Sequence, residues 1–429
     1  MKKRNFLAVL ASCAVVAGMF PMTASAENVK YSPNIDGGKT VSFEKYLVMK
    51  KDVKVPTAEF SFTVEAGEHV IAEDGKMEVL AGVGTPKFVG SGKAEFTSAD
   101  TVAAESDAGD KTVKFVTTGE GYDNDEQFVA KSVTVDFSDV VFTEPGIYRY
   151  IVKENSSDVT GVTNDKQNTR TLDVYVVDDS DDTGRKLKVN SYVIHTGLEA
   201  PERNAVNTET GEYKVTADRL DNKSTGFTNT YSTQNLEFGK EVTGNQGSKD
   251  KYFKFTLTVK NAAGATLDVV PLGMEAKPVV NTATAYDANT MGNANSIDEN
   301  DTLGGQQIVI DETGTVTKDF YLNDGQYVKI VGLPANSVYT VTELPEDYDP
   351  KDGTEKVWDT ESSKTYNDPK SGKIAEADIH TGFTNNRSGA IPTGIILSVA
   401  APVAIGVAVL GGIVFLVIKN KKRDTEEEG

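Results

Sequence analysis

The sequence predicts an all-β fold, and three observations carry that prediction. Short runs rich in Val, Phe, Tyr and Thr alternate in polarity with period two, as in Glu59-Phe60-Ser61-Phe62-Thr63-Val64 and Thr171-Leu172-Asp173-Val174-Tyr175-Val176-Val177. Turn signals such as Pro145-Gly146 and Asp324-Gly325 separate these runs. Between the two ends of the chain, no segment of useful length repeats its apolar residues at helical spacing. The 429 residues, 38% of them hydrophobic, are enough for two or three packed domains. Alternating short strands in such a chain point to β-sandwiches.

Composition removes several function classes. With 44 Lys+Arg against 64 Asp+Glu the formal charge is −20, which leaves nothing to neutralise phosphates and argues against a nucleic-acid partner. One Cys excludes an intramolecular disulfide and a Cys-rich metal site. The three His (His69, His195, His380) are far apart and lack metalloprotease spacing. No metal or cofactor is called for.

The N-terminal element is read as a signal peptide over residues 1–26. Lys2, Lys3 and Arg4 precede an apolar stretch from Phe6 to Phe20, and Thr23-Ala24-Ser25-Ala26 supplies the small residues a signal peptidase needs. The body is then divided into a first domain over 27–232 and a second over 233–389, with a linker at Thr230 to Asn235. Residues 390–429 form the last unit. Within it, Ile395 to Ile418 carry no charge and exceed the roughly 20 residues that cross a bilayer. Lys419, Lys421, Lys422 and Arg423 follow, which would hold this end in the cytoplasm. Ala390-Ile391-Pro392-Thr393-Gly394 stands just before the span. A PTG-containing pentapeptide, an apolar span and a basic tail together resemble a sortase sorting signal of Gram-positive bacteria. That resemblance implies cleavage between Thr393 and Gly394 and transfer of the Thr393 carbonyl to an amine.

A weak internal repeat orders the strands of the body. The first copy holds Val41-Ser42-Phe43-Glu44-Lys45, Phe60-Ser61-Phe62-Thr63-Val64, Tyr148-Arg149-Tyr150-Ile151-Val152-Lys153-Glu154 and Gly226-Phe227-Thr228-Asn229. The second holds Leu236-Glu237-Phe238-Gly239-Lys240, Phe253-Lys254-Phe255-Thr256-Leu257, Val338-Tyr339-Thr340-Val341-Thr342-Glu343 and Gly382-Phe383-Thr384-Asn385. Asn281 to Gly305 is polar and Asn-rich and reads as a long loop in the second copy.

Period two then makes a chemical prediction. Phe43 and Lys45 share a face of their strand, as do Phe238 and Lys240. Phe227 shares a face with Asn229, and Phe383 with Asn385; Val152 does so with Glu154, and Val341 with Glu343. Each copy should therefore bury one Lys, one Glu and one Asn. A buried unpaired charge is severely costly, so these groups must pair or neutralise. Burial lowers the Lys pKa and raises the Glu pKa. A neutral amine is a nucleophile. With a protonated Glu donating to the Asn carbonyl, attack on the carboxamide would form a Lys–Asn isopeptide bond and release ammonia. A buried Lys–Glu ion pair capped by Asn is the unreactive alternative; the same three residues in the same order twice favour the reactive one.

These residues carry a family resemblance. Asp136 to Tyr148 with Lys45, Glu154 and Asn229, and Phe320 to Gly325 with Gly332-Leu333-Pro334, Lys240, Glu343 and Asn385, resemble the two domains of streptococcal-type backbone pilins. The resemblance implies two tandem immunoglobulin-like (Cna B-type) sandwiches and self-formed Lys45–Asn229 and Lys240–Asn385 bonds assisted by Glu154 and Glu343. It also implies polymerisation by a pilin-type sortase into a covalent homopolymer joined to peptidoglycan at the cell surface. Lys223 is the matching candidate for the acceptor of the next subunit. The chemistry is internal and single-turnover, so no enzyme is implied. A non-polymerised wall-anchored adhesin for a host or matrix ligand is the other reading. Asp178-Asp179-Ser180-Asp181-Asp182 lacks the spacing of a calcium loop and reads as a solvated hairpin tip.

Overall fold

The computed structural model describes residues 38–390, apart from 74, 105–106, 108–124, 183, 185, 202–204, 207–212, 215–222, 273–305 and 355–364. The expected signal peptide, Thr393 and Gly394, the apolar span 395–418 and the Asn281–Gly305 segment lie outside the described residues. Among the described residues there is no α-helix, and every long element is a strand.

Fourteen strands precede Ser232: β1 (Thr40–Lys50), β2 (Ala58–Ala66), β3 (Leu80–Ala81), β4 (Lys87–Phe88), β5 (Lys93–Phe96), β6 (Ala103–Ala104), β7 (Glu126–Asp136), β8 (Gly146–Glu154), β9 (Val162–Thr163), β10 (Thr169–Asp178), β11 (Leu187–His195), β12 (Ala205–Val206), β13 (Tyr213–Lys214) and β14 (Gly226–Tyr231). One sheet runs β4-β7-β1-β14-β9 with β6 also on β7, and the other runs β11-β10-β8-β2-β5 with β3 also on β8. Their inner faces share one core, in which Phe43, Phe62 and Phe227 meet with ring centroids 5.0–5.5 Å apart. Edge-on and tilted aromatic packing of this kind adds to simple area burial.

Ten strands follow: β15 (Thr233–Thr243), β16 (Phe253–Lys260), β17 (Thr266–Leu272), β18 (Gln306–Val309), β19 (Val316–Leu322), β20 (Tyr327–Pro334), β21 (Val338–Glu343), β22 (Asp349–Asp352), β23 (Ser371–Lys373) and β24 (Ile379–Asn386). A sheet ordered β18-β17-β20-β15-β24-β22 packs on a four-stranded sheet ordered β19-β16-β21-β23. A second core lies between them, with Phe238, Phe255 and Phe383 at its centre.

In each sandwich the first long strand lies parallel to the last. β1 pairs with β14 so that Lys45 stands opposite Phe227 and Leu47 opposite Asn229. β15 pairs with β24 so that Lys240 stands opposite Phe383 and Val242 opposite Asn385. The two copies therefore use one register. Gly226 makes the first pairing possible: a Cβ there would lie 1.7 Å from the Glu44 carbonyl oxygen, and the Glu44 N–H donates to the neighbouring Thr225 carbonyl at 2.8 Å. Only a residue without Cβ admits so close an approach of backbones.

The linker expected at Thr230 to Asn235 is instead almost wholly strand. Tyr231 is buried in the first core and pairs with Val162; Thr233 is buried and pairs with Pro334. Only Ser232 lies between β14 and β15. The two sandwiches also touch directly, through Thr57 N–H to the Gly264 carbonyl at 2.8 Å and Lys50 Nζ to Gln234 Oε1 at 3.0 Å.

Candidate functional site

The register brings the three predicted side chains of each copy together inside its core. Lys45 lies on the inner face of β1 between Phe43 and Leu47, and is fully buried, as are Asn229 on β14 and Glu154 on β8 of the facing sheet. Lys45 Nζ stands 2.7 Å from Glu154 Oε1 and 4.6 Å from the centroid of the Phe60 ring. Among the described residues Glu154 Oε2 has no hydrogen-bond partner. Asn229 Nδ2 donates to the same Oε1 at 3.0 Å. The carboxylate oxygen is thus shared by the amine and the carboxamide.

The second core repeats this with different residues. Lys240 Nζ is 2.8 Å from Glu343 Oε1, Asn385 Nδ2 donates to that oxygen at 2.8 Å, and the Phe253 ring lies 4.5 Å from the amine. Lys240 Nζ also reaches the Phe383 carbonyl at 3.4 Å. Glu154 sits opposite Phe62 on β2, and Glu343 sits opposite Phe255 on β16, so the facing sheets share a register as well.

Burial dominates the electrostatics. Desolvation pushes the Lys45 and Lys240 amines down to about 8, against the opposing pull of Glu154 and Glu343. Desolvation likewise raises both carboxyl groups, against the pull of the amines. Both shifts favour moving the shared proton from amine to carboxylate, which leaves a neutral nucleophile beside a carboxamide.

One sequence expectation is corrected here. Glu154 was expected to donate to the Asn229 carbonyl, but that oxygen faces away from it and accepts the backbone N–H of Asp165 at 2.8 Å. A backbone N–H can only donate, so it fixes which end of the carboxamide points to it. Nδ2, the nitrogen that would leave, is therefore the end that faces Glu154. Asn385 has the same Nδ2-to-Glu343 contact, but among the described residues its Oδ1 has no partner.

Sequence reasoning missed the residues around this triad. Arg170 on β10 is buried opposite Val152, with its guanidinium carbon 4.5 Å from the centroid of Phe227. It donates to Asp165 Oδ2 at 2.7 Å, and to Ser224 Oγ and the Gly226 carbonyl, each at 2.9 Å. Lys370 takes the corresponding place in the second core: its carbonyl accepts from the Val341 N–H, and its Nζ lies 4.3 Å from the Phe383 ring. The signal for Arg170 was present, since it is in phase with Leu172 and Val174 on the buried face of its strand.

The remaining predicted residues fall elsewhere. Lys223 is half-buried and forms a β-bridge with His195 at the end of β11. His195 Nε2 is 2.9 Å from Asp173, which also holds Arg149 through two hydrogen bonds of 2.8 Å. Asp178 to Asp182 form the β10–β11 turn, where the Ser180 N–H donates to Asp178 and Asp181 pairs with Lys186.

Residues 234–387 match a domain of unknown function (DUF7601). Over 417 residues the chain is 24% identical to a protein named Pilin from Streptococcus pyogenes serotype M1, covering 93% of this chain and 96% of that one. Among solved structures, the major pilin from Streptococcus pyogenes aligns with 20% identity and a TM-score of 0.44, over 82% of this chain and all of that one. The major pilin T3.2 from serotype GAS13637 of the same organism aligns with 22% identity, a TM-score of 0.41 and the same coverage. Residues 41–232, which hold Lys45, Glu154 and Asn229, match the Spy0128-like isopeptide containing domain.

Proposed function

We propose that the chain is the backbone subunit of a sortase-built pilus, with two immunoglobulin-like sandwiches each closed by an isopeptide bond, Lys45 to Asn229 and Lys240 to Asn385. The observation that carries this reading is the recurrence of a buried Lys–Glu–Asn triad at one strand register in both cores. A single buried ion pair has many structural explanations. Two with the same carboxamide partner, each joining the first strand of its sandwich to the last, have the geometry of a clip. Glu154 and Glu343 move the proton in each. The two matched pilin relationships, at the level of sequence and of the first domain, support the role of shaft subunit.

Assembly follows from the sequence signals. A pilin-type sortase cleaves between Thr393 and Gly394 and passes the Thr393 carbonyl to Lys223 of a neighbouring subunit, and the last transfer joins the polymer to peptidoglycan. The segment holding Lys223 is tied to β11 through the Ser224 N–H to the Ile194 carbonyl at 2.9 Å, so the acceptor is presented from a fixed edge.

Intact mass spectrometry tests the internal bonds. The chain should be lighter by two ammonia molecules than its sequence, and Glu343→Ala should restore one of them. Full sequence mass in the unaltered chain refutes the cross-links. Wall extracts test the assembly: a ladder of covalent polymers is expected, lost in Lys223→Ala. A ladder that survives that change refutes Lys223 as acceptor, and a single anchored species refutes the shaft role.

A further inference from the structure

The two triads differ at the oxygen of the carboxamide. In the first core the Asn229 carbonyl oxygen accepts the Asp165 N–H at 2.8 Å; in the second the Asn385 carbonyl oxygen is buried with no donor among the described residues. The Asp165 N–H is held in place by its own side chain. Asp165 Oδ1 accepts from the Gln167 N–H at 3.0 Å, while Oδ2 accepts from the Thr228 N–H at 3.1 Å and from Arg170 at 2.7 Å. Thr228 is the residue before Asn229, so the donor and the reacting amide are tied to each other. Arg170 in turn rests on the Phe227 ring and grips the Gly226 carbonyl.

We propose that the Asp165 N–H is the oxyanion donor for closure of the first sandwich, with Arg170 as the residue that positions it, and that the second sandwich closes more slowly because it lacks this donor. The inference rests on the isopeptide reading above. Glu154 holds the proton taken from the Lys45 ammonium while the neutral Nζ attacks Asn229 Cγ; the new N–C bond forms, and the carbonyl oxygen takes up negative charge against the Asp165 N–H. Glu154 gives its proton to Nδ2, which faces it at 3.0 Å, and takes one from the attacking nitrogen in return. Collapse breaks the Cγ–Nδ2 bond and ammonia leaves. One amine and one primary amide become one secondary amide and ammonia, so nothing is oxidised or reduced. Donors preset where charge develops are the strongest single aid to acyl transfer, and removal of one typically slows such reactions by about 100- to 1,000-fold.

The test is a refolding time course of the full chain, recovered unfolded and uncross-linked from inclusion bodies. Samples are quenched in acid, digested, and assayed by mass for the 45–229 and 240–385 branched peptides. The first is expected to form roughly 100-fold faster than the second. Asp165→Pro, which deletes the N–H, and Arg170→Gln, which releases it, should slow the first bond toward the second while leaving the second unchanged. Asp165→Asn keeps one acceptor oxygen, for Gln167 or for Arg170 and Thr228 but not for both, and should retain part of the rate, whereas Asp165→Ala should lose it. The Asp165 and Arg170 charges also act on Lys45, so each variant is compared at its own pH of maximal rate, where a lost oxyanion donor still slows the bond and a merely shifted profile does not. Equal rates for the two bonds, or a first bond indifferent to Arg170→Gln and Asp165→Ala, overturns the proposal, and these two variants decide it if Asp165→Pro does not fold. Absence of both branched peptides from the unaltered chain overturns the parent reading instead.

Discussion

Replacing Lys45 by Met separates the covalent from the non-covalent contribution of the first triad. Met is close to Lys in volume and apolar, and the site lies between Phe43 and Leu47 against the Phe60 ring, so packing should hold. Glu154, whose carboxyl is already raised by burial, keeps its proton and its contact with Asn229 Nδ2. Exchanging a buried charge for an apolar group is often neutral or better when no opposite charge is left behind. What is lost is the closure of a loop of about 185 residues, and by the chain-entropy relation for cross-links that is worth about 5 kcal/mol at 25 °C. A first domain of about 190 residues has an unfolding entropy near 0.4 kcal/mol/K, so its Tm should fall by about 13 °C. Calorimetry of Lys45→Met beside the unaltered chain reads this directly, with intact mass showing one ammonia retained. A Tm within about 3 °C of the unaltered chain, in a variant proven to lack the bond, would refute the claim that covalent closure stabilises the sandwich through loop entropy.

Three further outcomes follow. The rate of bond formation in refolding should trace a bell in pH, because the reactive pair holds one shared proton. Above about pH 8 that proton leaves the Lys45–Glu154 pair and no acid remains, while below the raised Glu pKa a second proton fixes the amine as ammonium; a rate flat from pH 5 to 10 contradicts the pairing. Gly226→Ala drives a Cβ into the Glu44 carbonyl and should destabilise the first sandwich by about 3 kcal/mol or more and stop its bond, with the 240–385 bond intact by peptide mass. Single-molecule pulling through the termini should show no extension from residues 46–228 in the unaltered chain, and a step of about 600 Å in Lys45→Met. A step of that size in both chains removes the clip.

How much of this was legible without coordinates depended on whether the information was local. Lys45 is in phase with Phe43, and Asn229 with Phe227; period two alone places such residues inside, and the structure has them fully buried. Arg170 carries the same signal beside Leu172 and Val174, so its burial was readable on the same grounds. Asp165 carried none. It sits between β9 and β10, where no period applies, and its part depends on Arg170 and Thr228 meeting it across the core. The direction of the Asn229 amide was likewise set by a backbone donor that only the folded loop supplies. Arg149 shows another limit. Period two puts it on the face opposite Tyr148 and Tyr150, yet it is buried, because Asp173 and the Leu198 and Glu199 carbonyls cover it from segments distant in sequence. The junction at Ser232 was misread for a related reason: polar residues such as Thr230 and Thr233 look like linker until their pairing partners are known.

The parallel pairing of first and last strands gives the proposed bonds a mechanical meaning that stability alone does not require. Tension applied through the chain termini enters the first sandwich at the start of β1 and leaves at the end of β14, so it pulls these neighbours along their length in opposite senses; in a polymer joined through Lys223 it would enter beside β14 instead and reach the second sandwich without crossing β1. The backbone hydrogen bonds between them share that load, but they rupture together once the core yields. A Lys45–Asn229 bond transfers the load from β1 to β14 at one covalent point and leaves residues 46–228 outside the path. From Asn229 the path needs only the rest of β14, Ser232 and the start of β15 to reach Lys240, where the second bond passes it to Asn385 on β24. Asn385 is in turn only a few residues from Thr393, where the sequence places the join to the next subunit. A one-residue junction, a shared register in both cores and triads that bridge the first and last long strands are each ordinary singly. Together they reduce the stressed part of the chain to three short extended segments, and both large loops that carry the remaining strands can vary in sequence without weakening it.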